Sequence, residues 1–192
     1  QQKNAKQANV PGILQDTFSG YRGLVWYWKE FTVPENPHKS GRYLIRFWEI
    51  DYSAEVWVNG KSIGSHAGAQ EPFTLDATEA VRPGEINRIA VRLLHPTDEP
   101  IDGIAFGQVS HGCATFNKMG GIMDSVELLI VPSVHVENIF AQPDWKTGKI
   151  HIQAQLQNYN QDNCAVKLLF TVSPANSGET VDVQSSKQVL PS

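Results

Sequence analysis

Carboxylates come first among the residues that could do chemistry. The chain carries 20 Asp and Glu residues, and two of them held close together could act as general acid and as base or nucleophile in a hydrolysis. The tightest grouping is Asp98, Glu99 and Asp102. It sits in a stretch punctuated by Pro and Gly, where solvated loop charge is the plainer use. Trp28, Trp48, Trp57 and Trp145 have rings that could stack on the apolar face of a sugar, although buried Trp serves packing more often. Trp57 is the best of these, because it alternates against inward valines. His66 and His111 could donate hydrogen bonds, but neither has a second ligand at metal spacing, so no metal site is expected. Near a hairpin, His66 would ordinarily anchor backbone. Asn117 and Lys118 are the polar residues of a long loop best suited to face a ligand. Asp76 and Thr78 read as turn residues whose side-chain oxygens accept backbone N–H bonds. There is no Gly-rich phosphate loop, no HExxH and no GxSxG, so nucleotide hydrolysis, zinc proteolysis and serine esterase chemistry have no support. No catalytic residue and no cofactor can be nominated.

Composition narrows the field further. With 16 Lys and Arg the net charge is -4, which leaves no basic footprint for a nucleic acid. No run of apolar residues is long enough for a membrane-spanning helix. A hydrophobic fraction of 41% can build a sizeable core. The cysteines, Cys113 and Cys164, lie far apart in sequence and are expected as buried free thiols.

The elements that must position these residues are strands. Short apolar runs alternate with Gly, Pro, Asn and Asp punctuation, the rhythm of a sandwich or barrel. Residues 26–33 form the first strand. Residues 42–50 form the second, apolar on both faces and therefore covered on both. Residues 54–58 alternate, with Ala54, Val56 and Val58 on one face and Glu55 and Trp57 on the other. Asn59-Gly60 follows at once and predicts a two-residue type I′ hairpin. Further strands are expected at 61–64, around Phe73 and Leu75, and at 88–94. Residues 96–121 show no convincing strand, and connections of that length in compact domains are commonly functional. Residues 122–131 restore the strand pattern. Beyond Pro132, strands are expected at 134–142, 149–158, 164–173 and 180–190. Residues 149–158 alternate cleanly, which predicts one buried and one wet face.

Several of these pieces, in order, resemble the sugar-binding domain of glycoside hydrolase family 2. Trp26-Tyr27 opens the first core strand, and Phe31 to Pro34 gives a Phe-x-Val-Pro ending. Val56-Trp57-Val58-Asn59-Gly60 resembles the family's VxVNG hairpin, followed by Ile63-Gly64-x-His66. Pro72-Phe73 precedes Leu75-Asp76-x-Thr78. Gly84 to Val91 is similar to the family's GxNxLAV strand. Gly121-Ile122 leading into Val126-Glu127-Leu128 is similar to its closing strand. The chain departs from the pattern at Met123-Asp124, where the family usually has an aromatic and an Arg. It departs again in residues 111–118, which lack the carboxylate that several β-galactosidases of the family place there.

The resemblance implies an all-β fold. A jelly-roll, galactose-binding-like β-sandwich would occupy residues 1–132, with residues 1–12 as a loose N-terminal arm. A partial immunoglobulin-like β-sandwich would occupy residues 133–192, since such a sandwich needs about seven strands and about four are expected there. The family's two catalytic glutamates stand on a (β/α)₈ barrel absent from this sequence. The chain would then be the non-catalytic N-terminal region of a secreted or periplasmic β-galactosidase-, β-glucuronidase- or β-mannosidase-like enzyme. Its partners would be carbohydrate and the C-terminal catalytic domain of the same polypeptide, with no nucleic acid and no membrane. The long loop would shape one wall of the active site, and His111, Asn117, Lys118, Asp102 and Trp57 would be the sugar-facing residues. Two other readings stay open at this point. One is a stand-alone carbohydrate-binding module; the other is a structural or adhesive sandwich completed by another chain's strand.

Overall fold

The computed structural model describes residues 5–106 and 119–192, and it is all-β apart from a single short helical turn. The residues form two compact units, one of residues up to Pro37 together with Arg42–Ile130, the other of His38–Gly41 together with Val131–Ser192.

In the first unit the elements run β1 (Gly12–Ile13), α1 (Leu14–Thr17), β2 (Gly23–Thr32), β3 (Arg42–Phe47), β4 (Ile50–Asp51), β5 (Ser53–Val58), β6 (Lys61–Ala67), β7 (Phe73–Asp76), β8 (Ile86–His95), β9 (Gly121–Ile122) and β10 (Val126–Val131). A four-stranded sheet has the order β2-β8-β5-β6, and a three-stranded sheet has the order β10-β3-β7. Alternation along β5 and β8 turns Ala54, Val56, Val58, Val91 and Leu93 inward, where they cluster with Ile45 and Phe47 of β3. Each fully buried branched or aromatic side chain of this kind contributes about 1.5–3 kcal/mol. As its apolar composition requires, β3 is the middle strand of its sheet, and Tyr43, Leu44, Ile45 and Phe47 are all buried.

The turn between β5 and β6 has positive φ at both Asn59 (52°) and Gly60 (82°), the type I′ geometry that Asn-Gly favours. Asn59 also ties this turn to the next one. Its Nδ2 donates to Asn87 Oδ1 at 2.7 Å and its Oδ1 accepts from the Arg88 N–H at 3.0 Å. Asn87, fully buried, in turn accepts from the Arg82 N–H and donates to the Arg82 and Glu85 carbonyls. Its polar side chain is thus satisfied, as burial demands.

Two expectations need correction here. Residues 42–50 are not one strand. The chain leaves the sheet after Phe47, where the Trp48 N–H turns to the Ser125 carbonyl, and it resumes as β4 in a separate small sheet. The loose arm also ends sooner than expected, because Gly12 pairs with Ile122 as part of β1.

The second unit consists of two antiparallel ribbons. β11 (Val134–Asp144) pairs with β12 (Lys149–Asn158), and β13 (Cys164–Val172) pairs with β14 (Asp182–Leu190). Asp144 builds the first turn, accepting from the Lys146 N–H at 2.9 Å and the Thr147 hydroxyl at 2.6 Å. The alternation of β12 does not produce a buried face. Ile152, Ala154 and Leu156 are only half-buried, Ile150 is exposed, and no residue from 131 to 192 is fully buried. The physical reason is the number of layers: two-stranded ribbons do not enclose a core. Cys164 on β13 carries a free thiol and is likewise only partly buried; Cys113 lies outside the described residues.

Candidate functional site

The connection between β8 and β9 is the long loop singled out by the sequence, and the structure shows how both of its roots are fixed. On the incoming side β8 ends in His95, which is fully buried with its Nδ1 3.8 Å from a carboxylate oxygen of the equally buried Asp51. On the outgoing side β9 is clamped between β1 and β4. The Gly120 carbonyl accepts from the Leu14 N–H at 2.7 Å, and the Gly120 N–H donates to Gln15 Oε1 at 3.2 Å. Gly120 lies so close to His95 that a Cβ there would stand 2.3 Å from the imidazole Nδ1. The two roots therefore touch. Glu49 adds a titratable group nearby: burial, then the charges of Asp124 and Asp51, hold its carboxyl above the usual range.

The described start of the loop is built on arginines. Ile101 and Ile104 exchange backbone hydrogen bonds at 3.0 and 2.9 Å around Asp102 and Gly103, both at positive φ. This tight turn carries Asp102 to Arg92 of β8, whose Nη2 donates to the carboxylate at 2.5 Å. Arg92 Nη1 donates to Glu55 of β5 at 2.6 Å. The hydrogen bond to Asp102, opposed by burial and joined by that to Glu55, raises the already high pKa of the guanidinium. Arg22 grips Asp98 with two hydrogen bonds, at 2.8 and 3.3 Å. Within the cluster of Asp98, Glu99 and Asp102, the two aspartates are thus held by different arginines rather than assembled as a catalytic pair.

Arg92 links this turn to the outer face of the four-stranded sheet. Strand register places Trp28, Ala90 and Trp57 in one row, Trp26, Arg92 and Glu55 in the next, and Glu30 beside Arg88 in a third. These residues alternate with the inward-facing set, so all of them point away from the core. Trp26 and Trp28 are 46% and 49% exposed. The Trp57 ring leans onto Trp26, with centroids 5.3 Å apart and planes tilted by 37°. Arg88 donates to Glu30 at 2.6 Å.

Of the residues expected to face a sugar, Trp57 and Asp102 are brought to one face through the Glu55–Arg92 pair. His111, Asn117 and Lys118 lie outside the described residues. Trp48 is exposed at the end of β3 under the guanidinium of Arg46, and Trp145 stands 85% exposed at the β11–β12 turn. His66 stacks on Phe73, with centroids 4.2 Å apart, instead of anchoring backbone. Thr78 and Asp76 do form the expected turn: Asp76 Oδ1 accepts from the Thr78 N–H, and Thr78 Oγ1 accepts from the Tyr43 N–H, both at 2.9 Å. Trp26, Glu55 and Arg92 share the outer sheet face with Trp57 and were not singled out from the sequence. The outward alternation of Arg88, Ala90 and Arg92 was the available signal. Among the described residues no group of three or more His, Cys, Asp or Glu side chains could hold a metal ion.

Comparison with known proteins gives one consistent picture. Residues 8–132 match the family model described as glycosyl hydrolases family 2, sugar binding domain. A β-galactosidase of Thermoanaerobacter pseudethanolicus is 32% identical over 62% of this chain and 15% of its own length. A β-glucuronidase of Formosa agariphila is 26% identical over 90% of this chain and 19% of its own length. The β-glucuronidase of Canis lupus familiaris is 26% identical, with 83% and 28% covered. Among solved structures, Bacteroides uniformis β-glucuronidase shares the fold with a TM-score of 0.74 at 20% identity, over 97% of this chain and 23% of that one. A family 2 member from Bacteroides cellulosilyticus has a TM-score of 0.68 at 25% identity, with 89% and 22% covered. The chain therefore spans between about a seventh and just over a quarter of the length of these relatives.

Proposed function

The chain belongs to glycosyl hydrolase family 2, with residues 8–132 as its sugar-binding domain, and from that premise we infer that it is the accessory N-terminal region of a β-glucuronidase- or β-galactosidase-like glycosidase. It contributes no catalytic group. The sandwich of the first unit holds the 96–121 loop toward a catalytic domain carried elsewhere in the same polypeptide, and the loop lines part of the substrate site. The second unit is the beginning of an immunoglobulin-like sandwich, and its half-exposed apolar ribbons are covered by further strands of that polypeptide. The enzyme acts on extracellular or periplasmic glycans.

The observation that carries the non-catalytic reading is the fate of the loop carboxylates. A retaining glycosidase needs two carboxyl groups about 5–5.5 Å apart, one of them kept protonated. Asp98 and Asp102 are instead each held by a different arginine, which keeps them from facing one another as such a pair. The shared double-rooted anchoring of the loop supports its role as a positioned wall. The test is the reading frame beyond the codon for Ser192. It is expected to encode the remaining strands of a sandwich and then a barrel with two glutamates. A frame that encodes neither would remove the enzyme from this reading and leave a carbohydrate-binding module.

A further inference from the structure

The sequence contains a single Asn-Gly step, Asn59-Gly60, and this dipeptide has a reaction of its own. In water the Gly60 peptide nitrogen attacks the Asn59 Cγ. A bond forms between Gly60 N and Asn59 Cγ, the Cγ–Nδ2 bond breaks, and ammonia leaves with the peptide proton. Water then opens the cyclic imide at either carbonyl, which leaves Asp or isoaspartate in place of Asn. Glycine eases the attack, because it puts no side chain beside the nucleophilic nitrogen. An unfolded chain would lose this amide before that of any other asparagine.

The fold gives the amide other partners. The Asn59 side chain is half-buried and makes three hydrogen bonds, none of them to Gly60. Nδ2 donates to the Ala80 carbonyl at 2.9 Å and to Asn87 Oδ1 at 2.7 Å, while Oδ1 accepts from the Arg88 N–H at 3.0 Å. Ring closure turns the carboxamide and expels Nδ2, so these bonds must break first. Each lowers the population of released amide about fivefold, and three lower it about a hundredfold. Gly60 itself is exposed, and a Cβ added to it would meet nothing within 4 Å. The guard therefore lies in the side-chain bonds and not in shielding of the nucleophile.

The product does not fit the same seat. A carboxylate at residue 59 has no N–H for the Ala80 carbonyl or for Asn87 Oδ1, and it sets charge against both oxygens. Asn87 cannot turn its amide round to help. Its Oδ1 also accepts from the Arg82 N–H, and its Nδ2 donates to the Arg82 and Glu85 carbonyls. Polar atoms left unmatched in a buried setting are costly. An isoaspartate adds a methylene to the backbone and lengthens the two-residue turn.

We propose that Asn59 is a site of spontaneous deamidation that the native β5–β6 turn holds closed, and that its reaction is a one-way step out of the fold. Each opening of the turn exposes the amide, and a chain that reacts while open closes less well afterwards. The inference is independent of the accessory reading.

The test follows the full 192-residue chain in mildly alkaline buffer, folded in one sample and unfolded by guanidinium chloride in the other. Peptide mapping by mass spectrometry reads the conversion of the Asn59 amide to acid against time. The folded sample is expected to convert about a hundredfold more slowly, and comparable rates would overturn the guard. Asn87→Ala removes one of the three bonds and is expected to speed conversion in the folded chain about fivefold. An unchanged rate, in a variant that circular dichroism shows to be folded, would overturn the role of the side-chain bonds. Should that variant not fold, the two parent samples decide. Asn59→Asp supplies the product directly and is expected to lower the melting temperature; an unchanged melting temperature would overturn the one-way step. None of these results bears on hydrolysis, which is read on the longer polypeptide.

Discussion

At the scale of single residues, the partners supplied to a half-buried carboxyl decide which way its pKa moves. Asp76 shows the balance. Burial works to raise its pKa, but the hydrogen bonds from Thr78 and the guanidinium of Arg42 outweigh it, and the carboxyl titrates below its ordinary value of 3.8. A carboxyl depressed in this way contributes stability that is present above its ordinary pKa and is lost as pH falls through the folded value. Asp76→Asn is therefore expected to destabilise the first unit by about 1–2 kcal/mol at pH 7, a figure already reduced for partial solvent screening. Denaturant melts should show the difference from the parent closing below about pH 4. A difference that persists unchanged into strong acid would assign the loss to packing instead of charge. Glu49 runs the other way. Its carboxyl is raised, chiefly by burial, so its ionisation above the ordinary carboxylate range opposes folding, and Glu49→Gln is expected to raise the melting temperature at pH 7 and not at pH 4.

At the scale of elements, the loop roots are the sensitive point. Gly120→Ala would drive a methyl group into the His95 ring and must displace either β9 or the end of β8. Overpacking of this kind costs about 1–3 kcal/mol. The expected outcome is a lower melting temperature, with loss of hydrolysis when the same change is made in the longer polypeptide. Normal stability and normal hydrolysis would show that the roots yield freely. These same elements show what could be read in advance. The strands, the Asn59-Gly60 turn and the Asp76–Thr78 turn were legible because each rests on local chemistry within a few residues. The row of Trp28, Ala90 and Trp57 was not, because it forms only through the register of three strands distant in sequence, and no local pattern encodes that pairing. The break after Phe47 was hidden for a related reason, since an apolar strand and an apolar strand with an exposed Trp48 at its end share one composition. Trp57 and Asp102 were nominated from residue type and local alternation, whereas Arg92, which binds Asp102 and Glu55, looked like an ordinary outward residue of β8.

At the scale of the whole chain, the two units differ in what they bury. The first has a sealed core between two sheets, and the second has no fully buried residue. Local stability follows burial and the protection of backbone hydrogen bonds. Amides of β11 to β14 are therefore expected to exchange with solvent well before those of β3, β5 and β8, and protection of the ribbons equal to that of the first unit would contradict this division. The half-exposed ribbons and the arginine-bound loop carboxylates support the account proposed above, an accessory region whose chemistry is supplied elsewhere in the polypeptide. The most direct measurement is release of the aryl group from aryl β-glucuronide and aryl β-galactoside, by the 192-residue chain and by the product of its complete gene, side by side. The expected result is turnover of at least one of these substrates by the longer protein and none by the 192-residue chain. Protein-dependent turnover by the 192-residue chain alone would contradict it.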